Sequence, residues 1–301
     1  MVLIKINFKN EEICSSSLSN KGKILTVGSS SGNIRILNYK ERFNPVKIFK
    51  SHDLEITKIV TKNSKIFSCS LDSKLKIWDI QEQKLITTFI DHYGSINDLD
   101  VMEKYICTAS EDGDVRIWDH RIRNSIGKLK HGFNLQGSRF LKNQNLIVSY
   151  GLADSLYIWD LRMNNVFLNK SRVLKNSRSA LMSVGISNLS NFLFILDSGY
   201  KLHRVHTHFR QRSKRCALLI EKKNLIFQSR KNLLKLNLDD QGKFVLNGDL
   251  KGNSYVRSQK NGKVVTRFND HLESVKEVIF SSKNKVFVSC STDGSIVVRT
   301  Q

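Results

Sequence analysis

Residues 105–119 read YICTASEDGDVRIWD: an apolar run, a polar turn around Asp and Gly, and an alternating run that ends in Trp-Asp. Two strand-like runs joined by a Gly-containing turn are typical of a β-hairpin. The same order recurs clearly in four more segments and in weaker form in two others: 24–38, 66–79, 146–160 and 286–300, then 192–206 and 244–258. The chain therefore contains seven copies of one strand–turn–strand unit.

The spacing of these copies predicts the architecture. The reference position is the one that holds Trp in three copies; its residues are Leu37, Trp78, Trp118, Trp159, Val205, Arg257 and Arg299. The steps between them are 41, 40, 41, 46, 52 and 42 residues, and a period of about 40–45 residues with this content indicates a β-propeller. We predict an all-β, seven-bladed propeller that fills residues 1–301 as a single domain. The two longest steps predict extra loops at blades 5 and 6.

Three units carry Trp-Asp, at 78–79, 118–119 and 159–160, and a His precedes four units: His52, His92, His131 and His271. These features resemble WD repeats. In that family the His, a strand Ser or Thr, a turn Asp and the Trp form a buried hydrogen-bonded set, and buried polar groups need such partners. The resemblance assigns a structural role to Trp159 and to the sets His92, Thr108, Asp112, Trp118; His52, Ser68, Asp72, Trp78; and His271, Ser289, Asp293, Arg299.

The resemblance also implies how the ring closes. In WD-repeat propellers the N-terminal strand completes the last blade, which removes an open sheet edge. Here the last unit ends after its third strand, at IVVRTQ, and the chain begins with the alternating run VLIKINF at 2–8. We therefore expect a seven-bladed WD-repeat β-propeller closed by the N-terminal strand.

Motifs of catalysis are absent from the sequence. It contains no Walker loop, no GxSxG and no HExxH, so we expect no enzyme and no cofactor. His203, His206 and His208 have metal-like spacing but no Cys or carboxylate neighbour, and we interpret them as surface histidines rather than a metal site. The five Cys include no CxxC pair, which favours a reducing compartment. The N-terminus is unlike a signal peptide, and no run of about 18 apolar residues predicts a membrane span.

Two consecutive units continue beyond Trp-Asp to an Arg, as Trp118-Asp119-His120-Arg121 and Trp159-Asp160-Leu161-Arg162. Paired WDxR motifs resemble the adaptor-docking motifs of cullin-RING ubiquitin ligase receptors built on the damaged-DNA-binding adaptor. The order of the later segments, notably 236–258, is similar to the denticleless-type receptors among them. The resemblance implies that Asp119, Arg121, Asp160 and Arg162 bind the adaptor. The alternative is that each Asp ends a strand and pairs locally with its Arg.

The net charge of +22 suggests a nucleic-acid or anionic partner. The chain is also rich in residues with AT-rich codons, so part of this charge reflects composition. Residues 201–232 hold ten Lys or Arg against a single acid, Glu221, and RQRSKR at 210–215 resembles a nuclear-import signal. The predicted anionic-partner patch is Arg204, Arg210, Arg212, Lys214 and Arg215; the alternative is a solvated connection between blades.

Together these patterns predict a scaffold in the nucleus, with the cytoplasm as a second compartment. Its partners would be a cullin-RING adaptor protein and a replication-linked protein substrate, with a nucleic acid or another anion on the basic surface and no membrane. The competing hypothesis is a WD-repeat scaffold of an RNA–protein assembly such as ribosome biogenesis.

Overall fold

Antiparallel pairing organises the strands into seven sheets. The computed structural model describes residues 2–8, 11–19, 24–38, 45–122, 124–141, 146–161, 166–172, 179–186, 192–212, 215–221, 227–228, 233–239 and 241–300. Only the backbone is described at 2, 45–46, 166–172, 206–212, 215–221, 227–228 and 233–234. In the described ranges no helix is long and apolar enough to span a membrane.

Blades 1 to 4 each consist of four strands in chain order, as far as the chain is described. Blade 1 contains β2 (Ile13–Leu18), β3 (Ile24–Ser29), β4 (Asn33–Asn38) and β5 (Pro45–Lys50). Blade 2 contains β6 (Ile56–Lys62), β7 (Lys65–Ser70), β8 (Leu75–Asp79) and β9 (Leu85–Phe89). Blade 3 contains β10 (Ile96–Met102), β11 (Tyr105–Ser110), β12 (Asp114–Asp119) and β13 (Ser125–Lys130). Blade 4 contains β14 (Leu135–Leu141), β15 (Leu146–Gly151), β16 (Ser155–Asp160) and β17 (Val166–Arg172).

The remaining three blades are less uniform. Blade 5 contains β18 (Leu181–Ile186), β19 (Phe192–Asp197), β20 (Lys201–Arg212), β21 (Arg215–Glu221) and the short β22 (Phe227–Gln228). Blade 6 contains β23 (Leu233–Leu238), β24 (Phe244–Asp249), β25 (Asn253–Ser258) and β26 (Val264–Asn269). Blade 7 contains β27 (Val275–Ser281), β28 (Val286–Ser291) and β29 (Ser295–Thr300), and β1 (Val2–Asn7) pairs antiparallel with β29.

The first strands of successive blades contact one another, and β27 also contacts β2. The seven sheets therefore form a ring around a central channel, which confirms the predicted all-β, seven-bladed propeller. Because neighbouring strands are antiparallel, the first-to-second and third-to-fourth turns that the structure describes lie at one end of the ring. We call this end the WDxR end. The second-to-third turns and the connections between blades lie at the other end, the loop end.

The repeat alignment corresponds to a common register. The Trp position is the same site in each third strand, and Trp78, Trp118 and Trp159 pair across the hairpin with Ile66, Ile106 and Ile147. A register shift in the pairing with the fourth strand falls at each of these Trp residues. The repeated sequence pattern thus determines both the register of the hairpin and the register shift at the end of the third strand.

Two glycines fix the connections between blades. Gly32 (φ +78°) and Gly252 (φ +80°) lie in second-to-third strand turns and adopt a left-handed conformation that L-residues avoid. A Cβ on Gly32 would lie 2.2 Å from the His52 carbonyl oxygen, and one on Gly252 would lie 2.1 Å from that of His271. The backbone of each turn therefore lies in close contact with the connection that carries the His of the next blade.

The core lies between adjacent sheets. Trp118 of blade 3, fully buried, packs on Phe89 of blade 2 with ring centroids 4.9 Å apart, and Trp78 packs on Phe49 of blade 1 at 4.8 Å. Buried aromatic side chains of this size contribute more than any other residues to an apolar core. Apolar packing against the faces of the neighbouring blades therefore stabilises each blade.

The extra length of blade 5 differs from the prediction. The sequence suggested extra loops at blades 5 and 6 and, as one alternative, a solvated connection at 201–232. Instead β20 is 12 residues long and pairs with β21 from His206 opposite Glu221 to Arg212 opposite Arg215. Strand pairing satisfies backbone groups that a loop would leave to water. The extra residues therefore extend a hairpin of the fifth sheet.

Candidate functional site

The WDxR turn of blade 3 combines a buried carboxylate with an exposed guanidinium. Asp119 ends β12 and is 3% exposed, whereas the Arg121 side chain is 58% exposed. Arg121 donates to Asp119 from its backbone N (3.0 Å), from Nε (2.9 Å) and from a terminal nitrogen (2.6 Å). This hydrogen bonding lowers the pKa of Asp119 to about 2. The turn therefore presents a charged guanidinium in a fixed direction, with donors left for a partner.

The same turn without Arg occurs in blade 2. There Asp79 accepts hydrogen bonds from the backbone N of Gln81 (2.7 Å) and of Glu82 (3.0 Å). The Asp thus orders the turn whether or not an Arg follows. The alternative that the Asp pairs locally with its Arg is therefore observed for Asp119 and Arg121. What distinguishes blade 3 from blade 2 is the exposed guanidinium of Arg121.

Blade 4 is described only in part at the corresponding turn. Asp160 ends β16 and is 3% exposed, like Asp119. Arg162 lies outside the described residues. Blades 3 and 4 are neighbours in the ring, since β10 contacts β14, so Asp119 and Asp160 end the third strands of adjacent blades at the WDxR end.

The hydrogen-bonded set of blade 3 is complete. His92 Nδ1 lies 2.7 Å from Asp112 Oδ2, its Nε2 lies 2.8 Å from Thr108 Oγ1, and Trp118 Nε1 donates to the same hydroxyl at 2.9 Å. Burial alone raises the pKa of Asp112, but the hydrogen bond and charge of His92 outweigh it and lower the pKa to about 2. All four side chains are thereby locked in one arrangement below the surface of the blade.

Blade 2 departs from the expected set. His52 bonds Asp72 (2.9 Å) and Ser68 (2.9 Å), but among the described side chains the buried indole Nε1 of Trp78 has no hydrogen-bond partner. The prediction that Trp78 joins this network is therefore wrong for its indole N–H. Trp78 contributes by packing on Phe49.

Blades 4 and 7 use other arrangements. In blade 4, His131 Nε2 lies 2.6 Å from Ser149 Oγ, which accepts from Trp159 Nε1 at 3.0 Å. In blade 7, Ser295 lies between the two usual partners, because its Oγ is 2.6 Å from His271 Nδ1 and 2.5 Å from Asp293 Oδ1. His271 Nε2 also lies 2.7 Å from Ser289 Oγ. Arg299 is not in this set; it bonds Asp270 and lies over Phe268.

His131 makes stability depend on pH. Its Nδ1 faces the Leu129 carbonyl oxygen at 3.0 Å, and burial lowers its pKa from 6.5 to about 4. The unfolded chain therefore takes up a proton first as the pH falls. The free energy of unfolding should decrease by up to about 3 kcal/mol between pH 6.5 and 4, and no further below pH 4 for this group.

A His131→Gln variant tests this expectation by urea unfolding at pH 7.0 and 4.5. The wild type should lose clearly more stability between these two values than the variant, which lacks the titrating ring. An equal loss in both proteins would show that His131 is not responsible.

The predicted basic patch is only partly described. Arg204 donates to the carbonyl oxygens of Gln259 (3.1 Å) and Lys260 (3.0 Å) and lies over the Phe192 ring, so it ties blade 5 to blade 6. Arg210, Arg212 and Arg215 lie in the β20–β21 hairpin, where only the backbone is described, and Lys214 lies outside the described residues.

Of the three spaced histidines that the sequence suggested as a surface group, only the side chain of His203 is described, and for it the interpretation is wrong. His203 is buried on β20, and its Nε2 lies 2.9 Å from Asp197 Oδ2 within the same blade. The side chains of His206 and His208 lie outside the described part of the chain. No group of three or more His, Cys, Asp or Glu side chains suited to a metal ion occurs in the described ranges.

The central channel contains a buried ion cluster that the sequence did not reveal. Glu277 of β27 is 1% exposed and accepts from Ser15 Oγ (2.8 Å), the Ser16 backbone N (2.7 Å) and Asn237 Nδ2 (3.2 Å), and it forms an ion pair with Lys58. Burial by itself raises the pKa of Glu277, but the positive charge of Lys58 lowers it to about 2. This carboxylate joins blades 1, 2, 6 and 7.

Exposed apolar side chains gather at the loop end. Leu54, Tyr93 and Leu272 lie in the connections into blades 2, 3 and 7, and Tyr93 and Leu272 are 89% and 88% exposed. A cavity of about 380 Å³ lies at the same mouth of the channel; its wall contains Met182 and Leu250 together with many polar and charged side chains. Apolar surface concentrated around an opening is typical of protein-binding faces. In sequence, these residues follow the repeat His closely, as in His92-Tyr93 and His271-Leu272.

Comparison with known proteins agrees with this architecture. Three segments match the family WD domain, G-beta repeat: residues 43–79, 83–119 and 262–299. The chain is 25% identical to the pre-mRNA-splicing factor cwf17 of Schizosaccharomyces pombe over 78% of this chain and 68% of that protein.

Two further relatives match shorter parts. The E3 ubiquitin-protein ligase COP1 of Pisum sativum is 26% identical over 41% of this chain and 19% of its own length. The U3 small nucleolar RNA-associated protein 15 homolog of Gallus gallus is 26% identical over 51% of this chain and 30% of its own. Three segments of this chain are thus similar to WD repeats, and they span blades 1–2, 2–3 and 6–7 of the seven-bladed ring.

Proposed function

We propose that this chain is a non-enzymatic WD-repeat scaffold that acts in the nucleus as a substrate receptor of a cullin-RING ubiquitin ligase, in the manner of the denticleless type. The observation that carries the proposal is the WDxR turn of blade 3, where buried Asp119 holds an exposed Arg121 in a fixed direction. A pre-oriented Arg loses little entropy on binding and is a frequent hot spot of interfaces. The similarity to an E3 ubiquitin-protein ligase, COP1, supports the same assignment.

The two ends of the ring suggest a division of roles. The WDxR end, with Asp119, Arg121 and Asp160, would bind the adaptor, and Arg162 would contribute to the same contact. The loop end, with exposed Tyr93 and Leu272 around the channel mouth, would hold a replication-linked protein substrate. The bound ligase would carry out catalysis, and this chain would supply proximity between substrate and enzyme.

The test is a binding titration of the purified damaged-DNA-binding adaptor with the full chain. Arg121→Ala combined with Arg162→Ala should weaken binding about 100-fold, because two interface hot spots of about 1.5 kcal/mol each are lost. Gln81→Ala, at the corresponding position of blade 2, is the matched control and should bind like the wild type. No binding by the wild type, or equal binding by the double variant, would contradict the proposal.

A second candidate function is a scaffold in an RNA–protein assembly. It is favoured by the relatives whose names refer to pre-mRNA splicing and to a small nucleolar RNA, and by the net charge of +22. RNA contacts through Lys and Arg release counterions, so the affinity for a structured RNA should fall steeply with salt. Binding of RNA without such dependence, together with adaptor binding, would reject this candidate.

A further inference from the structure

In blade 7, Arg299 occupies the position that is Trp in blades 2, 3 and 4, and it lies at the junction with blade 6. In blades 2 and 3 the Trp ring packs on a Phe from the outer strand of the preceding blade, at 4.8 and 4.9 Å. Phe268 of β26 is the corresponding Phe here, and it packs on Phe287 at 4.9 Å. The Arg299 guanidinium covers the Phe268 ring at 4.3 Å and is paired with Asp270. Phe287 and Arg299 therefore occupy the positions that Ile and Trp hold in blades 2 and 3.

A cavity of about 310 Å³ lies beside these residues. Its wall is largely apolar and aromatic, with Phe244, Val256, Val265, Phe268, Phe280 and Phe287. Val265 is 57% exposed, so the cavity opens onto the outer surface of the ring. A hollow of this size, lined by aromatic rings, suits one large apolar side chain.

Exposed lysines lie at the end of the ring where this cavity opens. Lys285 belongs to the cavity lining, and the turns at this end of blades 6 and 7 also carry Lys243, Lys260, Lys263 and Lys283, of which Lys283 lines the channel. Within the described ranges none of the five forms an ion pair with a carboxylate. Asp239, at the same end, is buried and accepts hydrogen bonds from Ser282 and the Phe244 backbone. Among the described side chains of these turns, the positive charges of the five lysines are therefore not neutralised by ion pairs.

We propose that the blade 6–7 cavity is a docking site for an acidic linear peptide of a partner protein that inserts one aromatic side chain. The aromatic side chain would enter this cavity, and flanking Asp or Glu residues would pair with Lys285 and the lysines of the neighbouring turns. This site lies at the WDxR end but three blades from Arg121, so it goes beyond the proposed adaptor contact and does not depend on it.

The test is selection of a phage-displayed library of random twelve-residue peptides on the full-length wild-type protein. Selected peptides should contain an aromatic residue among acidic ones. Synthetic fluorescein-labelled copies should then lose at least about ten-fold in affinity to Val265→Trp, whose indole occupies the cavity, and to Lys285→Glu. Val264→Trp changes the neighbouring exposed residue, which does not line the cavity, and Lys84→Glu changes an exposed lysine of blade 2; both controls should bind like the wild type.

The results separate this site from other surfaces. Selection of peptides without an aromatic residue, or binding that Val265→Trp leaves unchanged, would overturn the proposal. A fluorescein-labelled oligouridine of twelve nucleotides serves as a second probe. If the oligouridine binds and Lys285→Glu weakens it while no peptide is selected, the lysines form a nucleic-acid surface and the peptide proposal is wrong. If the unfolding midpoint of each variant equals that of the wild type, the variants retain the fold.

Discussion

Replacing Glu277 by Leu is expected to lower the free energy of unfolding by about 3–5 kcal/mol. The substitution leaves the Lys58 ammonium buried in the channel without its counter-ion, and it removes the acceptor of Ser15 Oγ and of the Ser16 backbone N. Losing one partner of a buried ion pair is far more costly than losing both, because the remaining charge stays desolvated. Urea unfolding at pH 7 measures the effect.

The double variant Glu277→Leu with Lys58→Met is the decisive control. It replaces both charges by apolar side chains, so it should recover a large part of the stability that Glu277→Leu loses. If the single variant unfolds at the wild-type midpoint, the cluster does not stabilise the ring. If the double variant is less stable than the single one, the loss comes from the hydrogen bonds to blade 1 rather than from the buried charge.

The repeat pattern predicted the strands of the propeller because it is local. Pairs such as Ile106 opposite Trp118 are separated by only a short hairpin, and the residue types around the turn define it. The His92, Thr108, Asp112 and Trp118 geometry follows from the same register, since all four lie within one blade and its entry. In these cases sequence distance is short and side-chain direction alternates predictably.

Other features depend on contacts that no local pattern encodes. Glu277 and Lys58 are 219 positions apart and meet only because the ring brings β27 and β6 to one channel. The unpaired indole N–H of Trp78 could not be predicted from the sequence either. Ser149 accepts a hydrogen bond from the Trp159 indole, whereas Ser68, at the corresponding strand position, accepts none from Trp78. The residue type at this position therefore does not decide whether the bond forms. The β20–β21 hairpin and buried His203 were missed because a basic composition says little about strand pairing.

Truncating Trp118 to Ala is expected to destabilise the protein by about 3–5 kcal/mol. The ring is fully buried between blades 2 and 3, packs on Phe89, and donates to Thr108, so its removal leaves a cavity and takes away one of the two hydrogen-bond partners of the Thr108 hydroxyl. Urea unfolding of Trp118→Ala and Trp118→Phe separates the two parts, since Phe keeps most of the volume but has no indole N–H.

Trp78→Phe provides the matched control for the hydrogen bond. Trp78 packs on Phe49 in nearly the same geometry as Trp118 on Phe89, but its buried indole N–H has no partner among the described side chains. Trp118→Phe should therefore cost about 1–2 kcal/mol more than Trp78→Phe, which removes an unsatisfied donor together with some volume. Equal losses in the two variants would mean that the Thr108 hydroxyl does not stabilise Trp118, and that packing alone explains why the ring is buried at this position.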